Sequence, residues 1–519
     1  MIGWILALGI GMLFLYLPSF GGRVFLSPDE TANAVGAMRF AETGSLRMSQ
    51  NDLSEFPWMH PRSFVTQGDA LVPVGFVGTS ILASVFYRIG GSWGMTFFFA
   101  LLALSVAYPI WKCMLPLGKW PARAGVIAWL TFPTVLLYAN RGLFPNLPVV
   151  SLTVWSLYLL QVQTTETKKR TLNVLAGVLI GLALSIRPVE VIWILPWNAF
   201  AMWWAQKKEE RSLRKMVTSR ETALFFASVL FTSCVFAIVG RTTYGSWLAI
   251  GYHLKDVGNT SDQVVAVASG QASQSLTSVL PFGIHPRNIW FNVKSYLISF
   301  MWPWFLLGIA GVAVFWKDRS KRIWIVLAGW TMFSLFILYG SGLYQDHVRL
   351  GAVTVGNSFL RYMLPLSVVG VFLVAGLVRC IETWITREGV ARVVIVFFLA
   401  CVSFFGIWTA FLRDDEGLIQ DRIELQRYSD IRAQAVTALP ADTVVFSDRS
   451  DKIFYPVFRV APVAGFENLL AYLLEQRGPV AFFGRTFDEK SINEWADRGV
   501  RFVNVLEAGN ETLYIAEQL

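Results

Sequence analysis

Charge is scarce in this chain. Asp, Glu, Lys and Arg make up 15% of its 519 residues, where soluble domains carry about 25%. That shortage, beside 55% hydrophobic residues, 40 Phe and 21 Trp, excludes an ordinary water-soluble enzyme and describes a membrane protein. Cysteine is scarce too. Cys113, Cys234, Cys380 and Cys401 all lie in or beside apolar runs without metal-ligand spacing, so no disulfide framework is indicated. Residues 1–20 lack a basic n-region and end in Leu17-Pro18-Ser19 without a small-x-small cleavage site. They read as a retained first span, not a signal peptide. There is no convincing short-period repeat. The net charge of +9 comes with no basic-aromatic platform, so nucleic acid is not an expected partner.

What is present is a series of apolar runs. A crossing helix needs about 20 residues, and runs of roughly that length fall near 2–20, 93–111, 124–140, 147–163, 172–187, 189–204, 223–240, 293–316, 322–340, 362–379 and 391–412. Cations cluster between them, at Lys112, Lys119 and Arg123 and at Lys168, Lys169 and Arg170. Further clusters are Lys207, Lys208, Arg211, Arg214, Lys215 and Arg220, then Lys317, Arg319, Lys321 and Arg322, then Arg379, Arg387 and Arg392. These loops alternate with basic-poor ones if eleven segments cross, which the positive-inside rule favours. A twelfth run, about 71–90, then reads as an outer-surface or partly immersed helix. The expected topology has a cytoplasmic N-terminus and an external C-terminus in a plasma (inner) membrane. Long outer loops lie near 21–92, 241–292 and 341–361, and loops of such length are more often functional than connective.

In the first outer loop Ser27-Pro28-Asp29-Glu30 reads as a capping box, with Ser27 as N-cap and Glu30 reaching back. A helix with a small apolar face suited to a membrane surface follows to Ala41, and Glu42-Thr43-Gly44 stops it. A polar, irregular stretch with Pro57, His60, Pro61 and Arg62 leads into the 71–90 run. From about 413 charge rises and the pattern changes. Helices are expected over 421–437, 467–476 and 488–498, and strands over 443–447, 480–483, 500–505 and 512–516, a small α/β layer. That region carries no phosphate loop, dinucleotide fingerprint or nucleophile elbow. The expected architecture is therefore an α-helical polytopic membrane domain over 1–412, with about 11 spans plus surface helices in the first external loop, and an external α/β soluble domain over 413–519.

Chemistry is to be sought at the span ends. Asp29 and Glu30 follow the first span, Arg141 closes the run ending at Asn140, and Arg187 precedes Glu190 between two barely separated spans. His285 and Arg287 precede another span, and Arg361-Tyr362 opens the next. An arginine at a span end ordinarily snorkels to headgroups. Several on the outer face, against the positive-inside bias and beside one carboxylate pair, point instead to a polyanionic ligand such as a phosphate. Transfer of a sugar from a lipid phosphate needs a base for the acceptor hydroxyl and cations for the departing phosphate. Asp29, supported by Glu30, fits the first need and Arg141, Arg187 and Arg361 the second. His60, Arg62, Tyr362, His285 and Arg287 are candidate substrate contacts. No cofactor is required by this chemistry.

The order of these elements resembles a known family. One N-terminal span precedes Pro28-Asp29-Glu30 and a helix ending in Ala41-Glu42-Thr43-Gly44. Asn140-Arg141, Ser185-Ile186-Arg187-Pro188 and Arg361-Tyr362-Met363-Leu364-Pro365 follow. This is similar to the GT-C superfamily of integral-membrane glycosyltransferases, on the branch of the protein O-mannosyltransferases and the lipid A aminoarabinose transferase. The resemblance spans about residues 1–412 and implies a polyprenyl-phosphate sugar donor and an outer-side glycan, lipid or protein acceptor. It also implies an acidic base matching Asp29 and a phosphate-holding arginine matching Arg141. Two departures stand out. Asn146 occupies the place of an aspartate common in relatives, which weakens the case for a divalent metal, and Gly68-Asp69-Ala70-Leu71-Val72-Pro73 replaces a lysine-proline pattern. A transporter or flippase for a lipid-linked or anionic substrate is the alternative, and it requires ionisable residues near the bilayer midplane. A non-catalytic assembly subunit would leave Asp29 a capping role only. The C-terminal region is expected to cover the outer cavity and help choose the acceptor, or else to act as a stabilising cap.

Overall fold

The structure is a computed structural model, and it describes residues 9, 11–18, 24–50, 53, 55–162, 165–206, 212–245, 247, 280, 282–317, 322–347, 349, 351–447, 449–462 and 478–519. In chain order it opens with α1 (Pro28–Thr43), β1 (Met48–Ser49), β2 (Phe64–Gln67), β3 (Ala70–Pro73) and α2 (Val77–Ser105). Next come α3 (Ala107–Met114), α4 (Lys119–Leu130), α5 (Pro133–Asn140), α6 (Asn146–Gln161), α7 (Glu166–Ile186) and α8 (Val191–Trp204). They are followed by α9 (Leu213–Val217), α10 (Arg220–Tyr244) and α11 (Pro286–Asn292), which continues as a π-helical stretch to Phe300. Then α12 (Trp302–Trp316), α13 (Arg322–Tyr339), α14 (Ser358–Tyr362), α15 (Pro365–Trp384) and α16 (Glu388–Phe411) follow. The remainder is α17 (Leu418–Ala438), β4 (Val444–Ser447), α18 (Asp451–Phe454), β5 (Arg459–Pro462), β6 (Val480–Arg485), α19 (Glu489–Ala496), β7 (Val500–Ala508) and β8 (Glu511–Gln518).

The chain divides into two compact units. One is formed by the described residues of Met1–Phe20, Thr96–Ala237 and Ser269–Gln420, the other by those of Gly21–Met95, Ile238–Ala268 and Asp421–Leu519. The first unit is helical. Each expected apolar run from 93 onward to 412 carries a helix, while the run at 2–20 falls mostly outside the described residues. Among the described residues six helices are long and apolar enough to cross a membrane, or up to eight if each bent pair is one span. The bent pairs are α4 with α5, at 51°, and Pro286–Phe300 with α12, at 94°. Helices α6 and α8, with 16 and 14 residues, reach only about 24 and 21 Å at 1.5 Å per residue, less than the hydrocarbon thickness. Helix α7 packs on α10 through glycines. A Cβ on Gly177 would stand 2.4 Å from the Phe225 carbonyl oxygen, and one on Gly181 would stand 2.5 Å from Thr232 Cβ. This is the small-residue packing that lets membrane helices approach closely.

The second unit is built on two sheets. Strands β1, β3 and β2, in that spatial order, form an antiparallel sheet within the first loop. The larger sheet has the order β5-β4-β6-β8-β7, with β4 parallel to β5 and β6, and β8 antiparallel to both β6 and β7. Four of its strands coincide with those expected from the sequence; β5 and the one-turn α18 are additional, and the helix expected at 467–476 lies outside the described residues. One apolar core joins the two stretches of chain. Ala32, Val35, Phe56, Met59, Phe64 and Leu71 of the first loop belong to the same buried cluster as Phe446, Phe454, Tyr455 and Phe483. The rings of Phe64 and Tyr455 meet edge-on at 5.0 Å. The first loop, which sequence pattern attaches to the membrane part, thus shares its core with the C-terminal α/β layer.

Three sequence expectations for the loop are corrected. Residues 48–73 are not irregular throughout but supply three strands, and the stretch 70–73 is β3 rather than the start of a helix. Helix α1 is not laid on a surface by a small apolar face: Glu30 through Ala37 and Ala41 are all buried. Gly36 explains the fit, since a Cβ there would come within 2.9 Å of Ser80 Oγ and 3.3 Å of Pro73 Cγ. Helix α2 breaks at Gly90 and Gly91, the latter at φ 58°, ψ −150°, a conformation open to glycine alone. The break separates the 71–90 run from the helix that follows it.

Candidate functional site

The acidic pair lies in the second unit. Ser27 takes extended backbone angles, φ −121° and ψ 145°, and its Oγ accepts from the Asp29 amide at 3.2 Å, with Pro28 at the first helical position. The cap bond therefore goes to the second helical amide, one residue earlier than a capping box has it. Glu30 is 4% exposed, whereas Asp29 is only half-buried. Asp29 Oδ1 accepts from Ser63 Oγ at 2.6 Å. A short bond of this kind to a carboxylate is the stronger, charge-assisted sort, and it fixes the direction in which the carboxylate faces. Ser63 has φ 62°, in the left-handed region, alone among the described non-glycine residues.

Two other sequence candidates lie in this unit. His60 is buried, with Nδ1 3.0 Å from the Pro61 carbonyl; that oxygen can only accept, so Nδ1 donates. The Arg62 side chain is held by Asp451: Nε and Nη2 donate to Oδ1 at 2.9 and 2.8 Å, and the Arg62 amide donates to Oδ2 at 2.7 Å.

The candidate phosphate-binding arginines lie in the first unit, and the fold brings them into one cluster although 220 positions separate the first from the last. Arg141 ends α5 and Arg187 ends α7, each at the residue where helical geometry stops. Arg361 belongs to the separate short α14, so with Tyr362 it precedes the span α15 rather than opening it. The Arg141 and Arg361 guanidinium groups stand over the Phe144 ring at 5.0 and 4.2 Å, and Arg361 also faces Tyr362 at 5.3 Å. Arg187 faces the same Tyr362 at 4.8 Å and Tyr339 at 5.1 Å, and these two rings stack at 4.4 Å. Each arginine is about one-tenth exposed. Planar guanidinium groups stack on aromatic faces while leaving their edges to bind oxygen.

Arg187 has its own counter-ion. Its Nε donates to Glu190 Oε1 at 2.9 Å and its Nη2 to Tyr339 Oη at 2.7 Å, while Tyr339 donates in turn to Glu190 Oε1 and Trp193 to Glu190 Oε2. Arg361 Nη2 donates to Ser358 Oγ at 2.8 Å. Burial pushes the Tyr344 phenol far above its usual range, so it stays neutral and donates to the Tyr339 carbonyl at 2.8 Å. His285 and Arg287 stand at the start of α11, where the His285 amide donates to Ser341 Oγ at 2.8 Å, a bond that anchors the helix start and not the arginine cluster. Phe144, Tyr339, Ser63 and Asp451 carried no sequence signal. Aromatic residues are 15% of the chain, and a serine or aspartate in a polar loop is ordinary.

Asn146 is the first residue of α6 and is buried. Among the described residues no group of three or more His, Cys, Asp or Glu side chains is placed to hold a metal ion. What the two assemblies offer chemically is a half-buried carboxylate steadied by a serine hydroxyl, and a partly charge-balanced row of three guanidinium groups on an aromatic wall.

No family model matches this chain, and no curated protein is matched. Among solved structures it is similar to ArnT from Cupriavidus metallidurans bound to undecaprenyl phosphate, with TM-score 0.61 and 12% identity over 99% of this chain and 98% of that one. Against ArnT from the same organism in the apo state the TM-score is 0.59 at 10% identity, with the same coverage. At such identity the likeness is one of fold. The chain shares the fold of these structures: a multi-pass helical membrane protein with a small C-terminal sheet region.

Proposed function

We propose that this protein is a glycosyltransferase that moves a sugar from a polyprenyl-phosphate donor to an acceptor hydroxyl on the outer side of the membrane. The observation that carries the reading is the gathering of Arg141, Arg187 and Arg361 around Phe144 and Tyr362. Three cations largely sequestered from water match a phosphate monoester or diester far better than a neutral ligand. The likeness of fold to a protein whose structure holds undecaprenyl phosphate supports a lipid-linked donor.

In the proposed reaction Asp29 takes the proton of the acceptor hydroxyl as its oxygen bonds to the anomeric carbon. The bond from that carbon to the phosphate oxygen breaks, its electron pair leaves with the polyprenyl phosphate, and the arginines stabilise the charge that develops. One direct displacement inverts the anomeric centre. Ser63 donates to Asp29 Oδ1 and so fixes the orientation of the carboxylate. A transporter would place its ionisable groups near the bilayer midplane. Here Arg141, Arg187 and Arg361 stand at helix ends or in the one-turn α14, which favours the transferase. The active groups belong on the outer face in this reading, with the basic loops inside.

The test is transfer by the purified protein in lipid nanodiscs from a panel of radiolabelled polyprenyl-phosphate sugars. The expected result is labelled product from at least one donor, with inverted anomeric configuration by NMR. Retention of configuration would remove the single-displacement mechanism, and uptake of donor into sealed vesicles without product would favour the transporter.

A further inference from the structure

Two segments of the first loop near Asp29, Arg62-Ser63 and Leu26-Ser27, are each tied to one of two adjacent residues of α18, in the C-terminal stretch of chain. Asp451 is 1% exposed, and a carboxylate so deep needs every partner it has. Its hydrogen bonds run to one residue, from the Arg62 amide, Nε and Nη2. The next residue, Ser63, is held at φ 62°, a strained angle for a side-chain-bearing residue. Its carbonyl accepts from the Val74 amide at 2.9 Å, and its hydroxyl donates to Asp29. On the other side Lys452 Nζ donates to the Leu26 carbonyl at 2.6 Å, immediately before the Ser27 cap. Helix α18 is in turn tied to α17, since Arg432 Nη2 donates to the carbonyls of Lys452 and Tyr455 at 3.1 and 2.9 Å.

We infer that Asp451 is a positioning residue for the reaction, fixing Arg62 so that the Ser63 hydroxyl is presented to the Asp29 carboxylate. The inference rests on Asp29 being the base. A strained angle kept beside a candidate catalytic group, and over-determined by the residues around it, is the arrangement expected where geometry is held for chemistry. It gives the C-terminal α/β layer a part in turnover that is separate from choosing an acceptor.

Three variants of the full-length protein test it. Asp451→Asn sets an amide N–H against a donor of Arg62, and Ser63→Gly removes the hydroxyl while relieving the positive φ. Both are expected to lower kcat by roughly 10- to 100-fold, the scale of a small misplacement of a reacting group. Donor KM should change by less than about twofold, because the donor-side arginines are untouched. A merely structural role would make Ser63→Gly neutral, so wild-type kcat in that variant overturns the inference even if Asp451→Asn does not fold. Asp29→Asn separates the two claims. If it abolishes transfer while the other two variants turn over normally, the base stands and the positioning role falls; if it turns over normally, the base assignment falls and takes the positioning role with it.

Discussion

At the scale of single residues, the most demanding group is Glu190. It is 2% exposed and accepts from Arg187, Tyr339 and Trp193 at once. Removing one member of a buried ion pair leaves the other charge uncompensated, which costs about 3–5 kcal/mol. Glu190→Ala is therefore expected to lower the unfolding temperature in detergent sharply, and more than Glu190→Gln, which keeps an acceptor for Tyr339. Scanning calorimetry of the two variants checks this order. On the donor side, Arg141→Ala and Arg361→Ala should each weaken donor binding by about ten- to a hundredfold, since one hydrogen bond to a charged group contributes roughly 1.5–3 kcal/mol. Titration with a polyprenyl-phosphate sugar and a binding constant equal to wild type would remove that residue from the phosphate site. The arginines were legible because cations at span ends expected on the outer face run against the positive-inside bias, and Glu190 because it lies three residues from Arg187. Of the rings that hold them Tyr362 was legible beside Arg361, while Phe144 and Tyr339 were not, since aromatic side chains are abundant and neither stands out by type.

At the scale of elements, helix pairing sets what the chain tolerates. Gly177 lets α7 approach the α10 backbone and Gly181 lets it approach the Thr232 side chain, where an added Cβ would stand only 2.4 and 2.5 Å from its neighbour. Gly181→Val should cost about 1–3 kcal/mol by overpacking, read as a lower unfolding temperature. Gly308→Ala and Gly329→Ala, whose added Cβ would meet nothing within 4 Å, should leave it unchanged. Equal effects at all three positions would show that close helix approach is not what the glycines serve. Long elements were readable because hydropathy over some 20 residues is a strong signal. Strands of two to four residues such as β1, β2 and β5 are too short for alternation to register, and α18 is a single turn. Helix α1, which carries the candidate base, was legible from its cap and stop; α18, to which its surroundings are tied, is one that pattern reading passes over.

For the molecule as a whole, the division by composition and the division by packing differ. Charge content changes near residue 413, which suggests a boundary there. Apolar burial instead unites the first loop with the C-terminal layer, because Phe56, Met59 and Phe64 share a core with Phe446, Phe454 and Tyr455. Composition reports where a segment meets water or lipid, and it carries no information on which distant segment shares its core. A protein ended at residue 420 is therefore expected to lose all transfer, not just acceptor preference, and its first loop should become protease-sensitive. Normal transfer with altered acceptor choice would return the C-terminal layer to a selective role only.

The proposed chemistry turns on Asp29 taking the acceptor proton as the sugar leaves a polyprenyl phosphate. The decisive measurement is single-turnover transfer from a donor accepted by the wild-type protein, compared with Asp29→Asn under donor saturation. A lost general base costs about 10²- to 10⁴-fold, so the expected rate is lower by that factor, with donor affinity and unfolding temperature unchanged. Transfer by a folded Asp29→Asn protein at the wild-type rate would contradict the assignment.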